Sequence, residues 1–120
     1  MVADQAGGKE IVMYSRSFGC PFVTVAKRVF SDYAISYREV HIDRDSNAKK
    51  RVVEWTGFQS VPTIIVADAG SDLPCASFDP LPSGMSPRGI DRGVMITEPS
   101  FDELTAWLVK HGFIQEVEAR

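Results

Sequence analysis

The chain has 120 residues, 44% of them apolar and 24% charged, which sets the expectation of one soluble globular domain with a single core. A formal net charge of −3 provides no basic face for a phosphate backbone, so nucleic acid is not an expected partner. The longest mainly apolar run, Val61–Ala67, contains a proline and is too short to span a bilayer, so no membrane association is expected either.

Residues 1–8 are small and polar and are expected to form a flexible N-terminus. They show no basic stretch followed by an apolar core, and the expected setting is the cytoplasm. Glu10–Tyr14 reads as a short buried strand and Ser15–Gly19 as a loop. Pro21 suits the first turn of a helix, where its missing N–H has no intrahelical partner. Phe22, Val25, Ala26, Val29, Phe30 and Tyr33 follow helical spacing and predict a helix over 21–32. Ile35–Ile42 alternates with a period near two and predicts the second strand. Asp43–Ser46 supplies N-cap candidates for a helix over 47–56, which Gly57 stops. Val61–Val66 predicts the third strand, with Pro62 at its start, where no ladder bond is lost.

Residues 67–92 are different in kind. Pro74, Pro80, Pro82 and Pro87, with interspersed glycines and aspartates, leave no room for a regular element. Loops of this length in small domains are as a rule functional or mobile. Gly93–Thr97 then predicts a fourth strand, and Pro99-Ser100 opens a last helix over 100–111 with the stripe Phe101, Leu104, Leu108 and Val109. Gly112 ends it, and 114–120 is assigned as a tail. The order is that of an α/β domain over 9–113. Its β-α-β start forces a parallel pair with a right-handed crossover, while the later connection permits an antiparallel one.

The cysteines, Cys20 and Cys75, are too few for a disulfide framework. Cys20 falls where the first strand turns into the first helix, where unpaired N–H groups and the helix dipole stabilise an anion. A thiolate there is a nucleophile, and Arg16 adds a positive charge nearby. The same placement also suits a small buried hydrophobe, so position alone leaves both readings open.

Two segments carry a resemblance. Tyr14-Ser15-Arg16-Ser17-Phe18-Gly19-Cys20-Pro21-Phe22 and Thr56-Gly57-Phe58-Gln59-Ser60-Val61-Pro62-Thr63 resemble glutaredoxins, which carry a Cys-Pro-Tyr/Phe motif after the first strand and Thr-Val-Pro at the third. The ending Thr97–Leu104 is similar to the mycoredoxin and glutaredoxin-like bacterial branch. The resemblance covers 10–66 and 93–112. It implies a thioredoxin-like fold, a four-stranded mixed sheet flanked by three helices, with 67–92 as an insertion loop before the last strand. It also implies a cis Val61–Pro62 bond, with Pro62 packed against Cys20.

The implied activity is thiol–disulfide exchange in cell redox homeostasis and electron transport. Cys20 would be the catalytic nucleophile on mixed disulfides. Arg16 would contact a carboxylate of the thiol co-substrate, Phe22 would wall the groove, and the Val61 backbone would pair with the cysteinyl part, with Pro62 also in the substrate site. Ser100, Phe101 and Asp102, at the start of the last helix, would receive another carboxylate. The implied partners are a low-molecular-weight thiol (glutathione or a bacterial equivalent) and disulfide-bearing proteins, with the chain itself a monomer.

Several residues depart from the family pattern. Val23 stands where dithiol members have a second cysteine, so the expected chemistry is monothiol. Pro21 does not match the Cys-Gly-Phe-Ser of cluster-carrying monothiol members, and His41 and His111 are too widely spaced from the cysteines for a zinc site, so no metal is expected. Glu98-Pro99 replaces the usual Gly-Gly and puts a negative charge where an anionic ligand would sit. Cys75, inside the insertion, is a candidate resolving thiol if the Cα atoms come within about 7 Å. The alternatives to a monothiol oxidoreductase are a non-catalytic adaptor of the same fold and an iron–sulfur cluster carrier.

Overall fold

A computed structural model describes residues 8–115. The expectations for the N-terminal segment and the tail fall on 1–7 and 116–120, outside the described residues. Ile114, assigned to the tail, packs with Phe113 against the core.

The elements are β1 (Lys9–Ser15), α1 (Pro21–Asp32), β2 (Tyr37–His41), α2 (Ser46–Thr56), β3 (Thr63–Asp68), β4 (Met95–Thr97) and α3 (Phe101–Lys110). The strands form one sheet in the order β2-β1-β3-β4. β2 runs parallel to β1, while β3 is antiparallel to both β1 and β4. This is the thioredoxin-like arrangement of a four-stranded mixed sheet with three helices.

β1 is bonded along both edges, and Ile11, Val12, Met13 and Tyr14 are fully buried. A strand covered on both faces reads as a continuous apolar run rather than an alternating one. β2, at the sheet edge, is half-buried throughout. α1 sinks Val23, Ala26, Val29 and Phe30 into the core and packs against α3. α2 sets Trp55 edge-on to Tyr14, with ring centroids 5.3 Å apart.

The helix ends follow local chemistry. Asp45 caps α2 by accepting from the N–H groups of Asn47 and Ala48, and Gly57 closes it at φ +82°, a conformation that favours glycine. α3 begins with a complete capping box between Ser100 and Glu103. The structure shifts the third strand from the expected 61–66 to Thr63–Asp68, since Pro62 has no N–H to donate to a ladder and β1 extends far enough to pair Lys9 with Asp68.

The insertion therefore runs from 69 to 94. It contains no named strand or helix, yet it is tied down along its length. The Cys75 N–H donates to the Val66 carbonyl at 2.9 Å, and the Tyr14 hydroxyl donates to the Asp72 carbonyl. Arg38 of β2 bonds the Asp72 carboxylate, the Ser71 carbonyl and Glu10. At the far end the Gly89 N–H donates to Thr97 of β4 at 2.7 Å. Trp107 Nε1 donates to the Gly93 carbonyl, and His111 Nε2 lies 2.7 Å from the same oxygen.

Arg92 is the clasp of this segment. Its side chain is buried, with the residue only 3% exposed. It donates to the carbonyls of Asp79 (2.8 Å) and Trp55 (2.7 Å), and its guanidinium lies 5.0 Å over the Phe78 ring. One side chain thus joins two parts of the insertion to the C-terminal turn of α2. Replacing Arg92 with Met leaves two carbonyls without their donor, and should lower unfolding stability by about 2–3 kcal/mol in urea denaturation. Proteolysis within 69–94 should accelerate in the same variant; unchanged stability and cleavage would show that Arg92 does not hold the segment.

Candidate active site around Cys20

Cys20 is the N-cap residue of α1, with extended backbone angles (φ −131°, ψ 128°). Its carbonyl accepts from the N–H groups of Val23 (3.0 Å) and Thr24 (3.1 Å), which fixes the first turn. An N-cap side chain usually turns back onto the helix. The Cys20 thiol makes no such bond and lies instead 3.5 Å from the Val61 carbonyl across the turn. The first turn of α1 contains no acidic side chain. The positive end of its dipole and its unpaired N–H groups are therefore open to a negative charge on Sγ.

Val61 is buried and is joined to Pro62 by a cis peptide bond. Thr63 then starts β3, its hydroxyl bonded to the Ser60 carbonyl at 2.9 Å. This segment forms one side of a groove of about 310 Å³ that also contains Cys20, Arg16, Ser60, Arg88 and Glu98. Arg16 lies across the groove and donates from Nη2 to the Gln59 carbonyl at 2.8 Å. The loop before Cys20 is steadied by Asp43, which accepts from the Ser17 N–H at 3.0 Å. Burial acts to raise the Asp43 pKa, but the hydrogen bonds from Ser17 outweigh it and hold the carboxyl below its ordinary value.

Of the residues singled out in the sequence, Cys20, Arg16 and Val61 meet in this groove, with Pro62 following directly in the chain. Phe22 is not among the groove's lining residues; its ring lies instead under the Arg88 guanidinium, 4.9 Å from centroid to Cζ. Ser100, Phe101 and Asp102 are not in the groove either. The start of α3 carries its own cap. The Ser100 hydroxyl accepts from the Glu103 N–H, and the Glu103 carboxylate accepts from the Ser100 N–H at 2.8 Å. Gly89 of the insertion lies against that carboxylate; a Cβ there would come within 2.8 Å of Glu103 Oε1.

Cys75 is likewise not brought to Cys20. Its N–H bonds Val66, whereas the Cys20 thiol neighbours Val61. The five residue steps from Val61 to Val66 span about 16 Å of extended chain, well beyond the ~7 Å a disulfide tolerates. Both cysteines are free. Val23, in the second-cysteine position, is buried in the core, 6% exposed. His41 lies at the end of β2, 3.4 Å from the Glu39 carboxylate and outside the groove.

Sequence reasoning missed Arg88. Glu98 read as an unopposed negative charge, but Arg88 Nε lies 3.3 Å from its Oε1. The available signal was a cation in the turn-rich stretch just before β4, and nothing local says which groove it reaches. Among the described residues there is no cluster of three or more His, Cys, Asp or Glu side chains suited to a metal ion.

The glutaredoxin family model matches residues 11–69 of the chain. That segment is similar to glutaredoxins. Over 59 residues it is 30% identical to the chloroplastic glutaredoxin-C4 of Oryza sativa subsp. japonica, covering 47% of this chain and 44% of that protein. A glutaredoxin of Ricinus communis is 27% identical over 59 residues, 47% of this chain and 57% of that one. The chain thus spans about half the length of the curated relatives it matches. Among solved structures, the buckwheat glutaredoxin–glutathione complex is 21% identical, with a TM-score of 0.40 over 50% of this chain and 56% of the other. The matched segment includes Cys20 and the Val61–Pro62 turn; the wall formed by Arg88 and Glu98 lies beyond it.

The open helix N-terminus distinguishes the two thiols. Iodoacetamide at neutral pH should label Cys20 at least about tenfold faster than Cys75, as read by peptide mass spectrometry over a time course. Equal labelling rates would remove the argument for an activated Cys20.

Proposed function

We propose that the protein is a monothiol glutaredoxin-type thiol–disulfide oxidoreductase, reducing mixed disulfides between proteins and a low-molecular-weight thiol of the glutathione class. The observation that carries this reading is Cys20 itself, an uncapped thiol on an open helix N-terminus beside the Val61 carbonyl. The Cys20 thiolate attacks the small-thiol sulfur of the mixed disulfide. The S–S bond breaks, the protein sulfur leaves with the electron pair and takes up a proton, and Cys20 becomes joined to the small thiol. A second small-thiol thiolate then attacks that sulfur, forming the small-thiol disulfide and returning the Cys20 thiolate. The second step needs an external thiol because Val23 has no sulfur and Cys75 is anchored to the far part of β3.

In this reading Arg16 contacts a carboxylate of the thiol co-substrate, and the Val61 backbone pairs with its cysteinyl part, positioning its sulfur against Cys20. The protein acts as a monomer in the cytoplasm, where thiols are kept reduced. The likeness of Thr97–Leu104 to the mycoredoxin branch is a further part of this reading, and it leaves the choice among glutathione-like thiols to the groove.

In a glutathione-coupled assay with a peptide–glutathione mixed disulfide, C20S should lose turnover. C75S should keep the wild-type rate within about twofold, as expected for a distant, independent site. Retained activity in C20S would sink the mechanism, and a large loss in C75S would require Cys75 as resolving thiol.

A further inference from the structure

The insertion also reaches the Cys20 groove, where Ser86, Pro87 and Arg88 are part of its lining. Arg88 is located there by three separate contacts. Its backbone bridges to Thr97 of β4, its guanidinium stacks over Phe22, and its Nε donates to Glu98. Glu98 is itself fixed, with its N–H donated to the Pro62 carbonyl at 2.8 Å, its φ at +47° and its side chain only 16% exposed.

An arginine presents its N–H groups as a rigid planar fork with more than one usable edge. Here Glu98 takes the Nε, while the Nη groups have no partner among the described residues and the side chain is 60% exposed. Stacking and the Nε bond restrict the side chain, so that less rotamer freedom remains to be lost when the outer edge binds a second oxyanion. The start of α3 competes less well for this role, because the Ser100 and Glu103 N–H groups are already paired within its capping box and two acids, Asp102 and Glu103, stand in its first turn. The groove thus holds two guanidinium groups against one carboxylate, all beside Cys20.

We propose that Arg88 selects the thiol co-substrate, its outer guanidinium edge binding a carboxylate of that thiol. The inference rests on the reading of the Cys20 groove as the thiol site. The substrate class is a small thiol carrying a carboxylate remote from its sulfur; thiols without one lack this contact.

Binding of S-methylglutathione, which cannot turn over, tests the proposal by calorimetry, with its dimethyl ester as the carboxylate-free comparison. The wild-type protein should prefer the acid by more than about tenfold, since the ester removes the carboxylate assigned to Arg16 as well as the one assigned to Arg88, and one charge-assisted bidentate contact is on the scale of tenfold. R88Q should lose about tenfold of that preference, and R88K, which keeps the charge without the fork, should lose part of it. R88Q/E98Q should remain as poor as R88Q. No preference in the wild-type protein, or an unchanged preference in R88Q, would overturn the proposal. So would a wild-type preference in R88Q/E98Q, because Arg88 would then serve only to neutralise Glu98. The readout involves no turnover, so a failure of the oxidoreductase reading in the C20S assay and a failure here are separate results.

Discussion

The position of every functional residue depends on β1 being paired along both edges. Four successive residues, Ile11 to Tyr14, are removed from water completely, and their backbone groups are taken up by β2 on one side and β3 on the other. A buried strand tolerates no unpaired polar group, so both registers are strongly constrained. β1 ends at Ser15, leaving a short loop to reach the start of α1 at Pro21. The β1–β3 register sets Thr63 opposite Tyr14, which puts Val61 and Pro62 beside that loop. The Cys20–Val61 contact is therefore a consequence of strand pairing as well as of local turn chemistry.

The three helix starts divide their chemistry in an informative way. α2 and α3 spend their exposed N–H groups on their own side chains, Asp45 in one case and the Ser100–Glu103 box in the other. α1 has Cys20 at the same position and Pro21 next, with no acid in its first turn. Sulfur is a weak acceptor, so the thiol is no substitute for aspartate or serine as a cap. The first helix forgoes a local stabilisation that the other two have, and it does so at the site of proposed chemistry. Stability is drawn instead from the apolar face of Val23, Ala26, Val29 and Phe30.

Much of this was legible in the sequence because it is local. Pro21, Asp45, Gly57 and Ser100 mark helix ends by their own backbone and capping preferences, and α1 spans the residues that its spacing predicts. The pairing of the Cys20 turn with Val61–Pro62 was legible through resemblance, not through spacing. What stayed hidden depends on which distant groups meet. The prolines of the insertion announce irregular backbone, but Arg92 reaching Trp55, or Arg38 reaching Asp72, is a matter of tertiary path. The same holds for α3: Ser100-Phe101-Asp102 looks like an anion site until Glu103 is seen to occupy it and Gly89 to cover it. Glu98 read alone was a repulsive charge; beside Arg88 it becomes half of a pair.

The clasp at Arg92 has a consequence for how such a groove can diversify. The insertion is secured at its start through Cys75 and Asp72, in its middle through Asp79 and Arg92, and near its end through Gly89 and Gly93. The stretch between Asp79 and Arg92 includes Ser86, Pro87 and Arg88, of which Ser86 and Arg88 are exposed. Substitutions there can change the charge offered beside Cys20 while the sheet, the nucleophile and its helix stay as they are. The irregular segment thus forms a replaceable wall on a frame set by strand pairing, so the charge lining the groove and the placement of the thiol rest on separate parts of the chain.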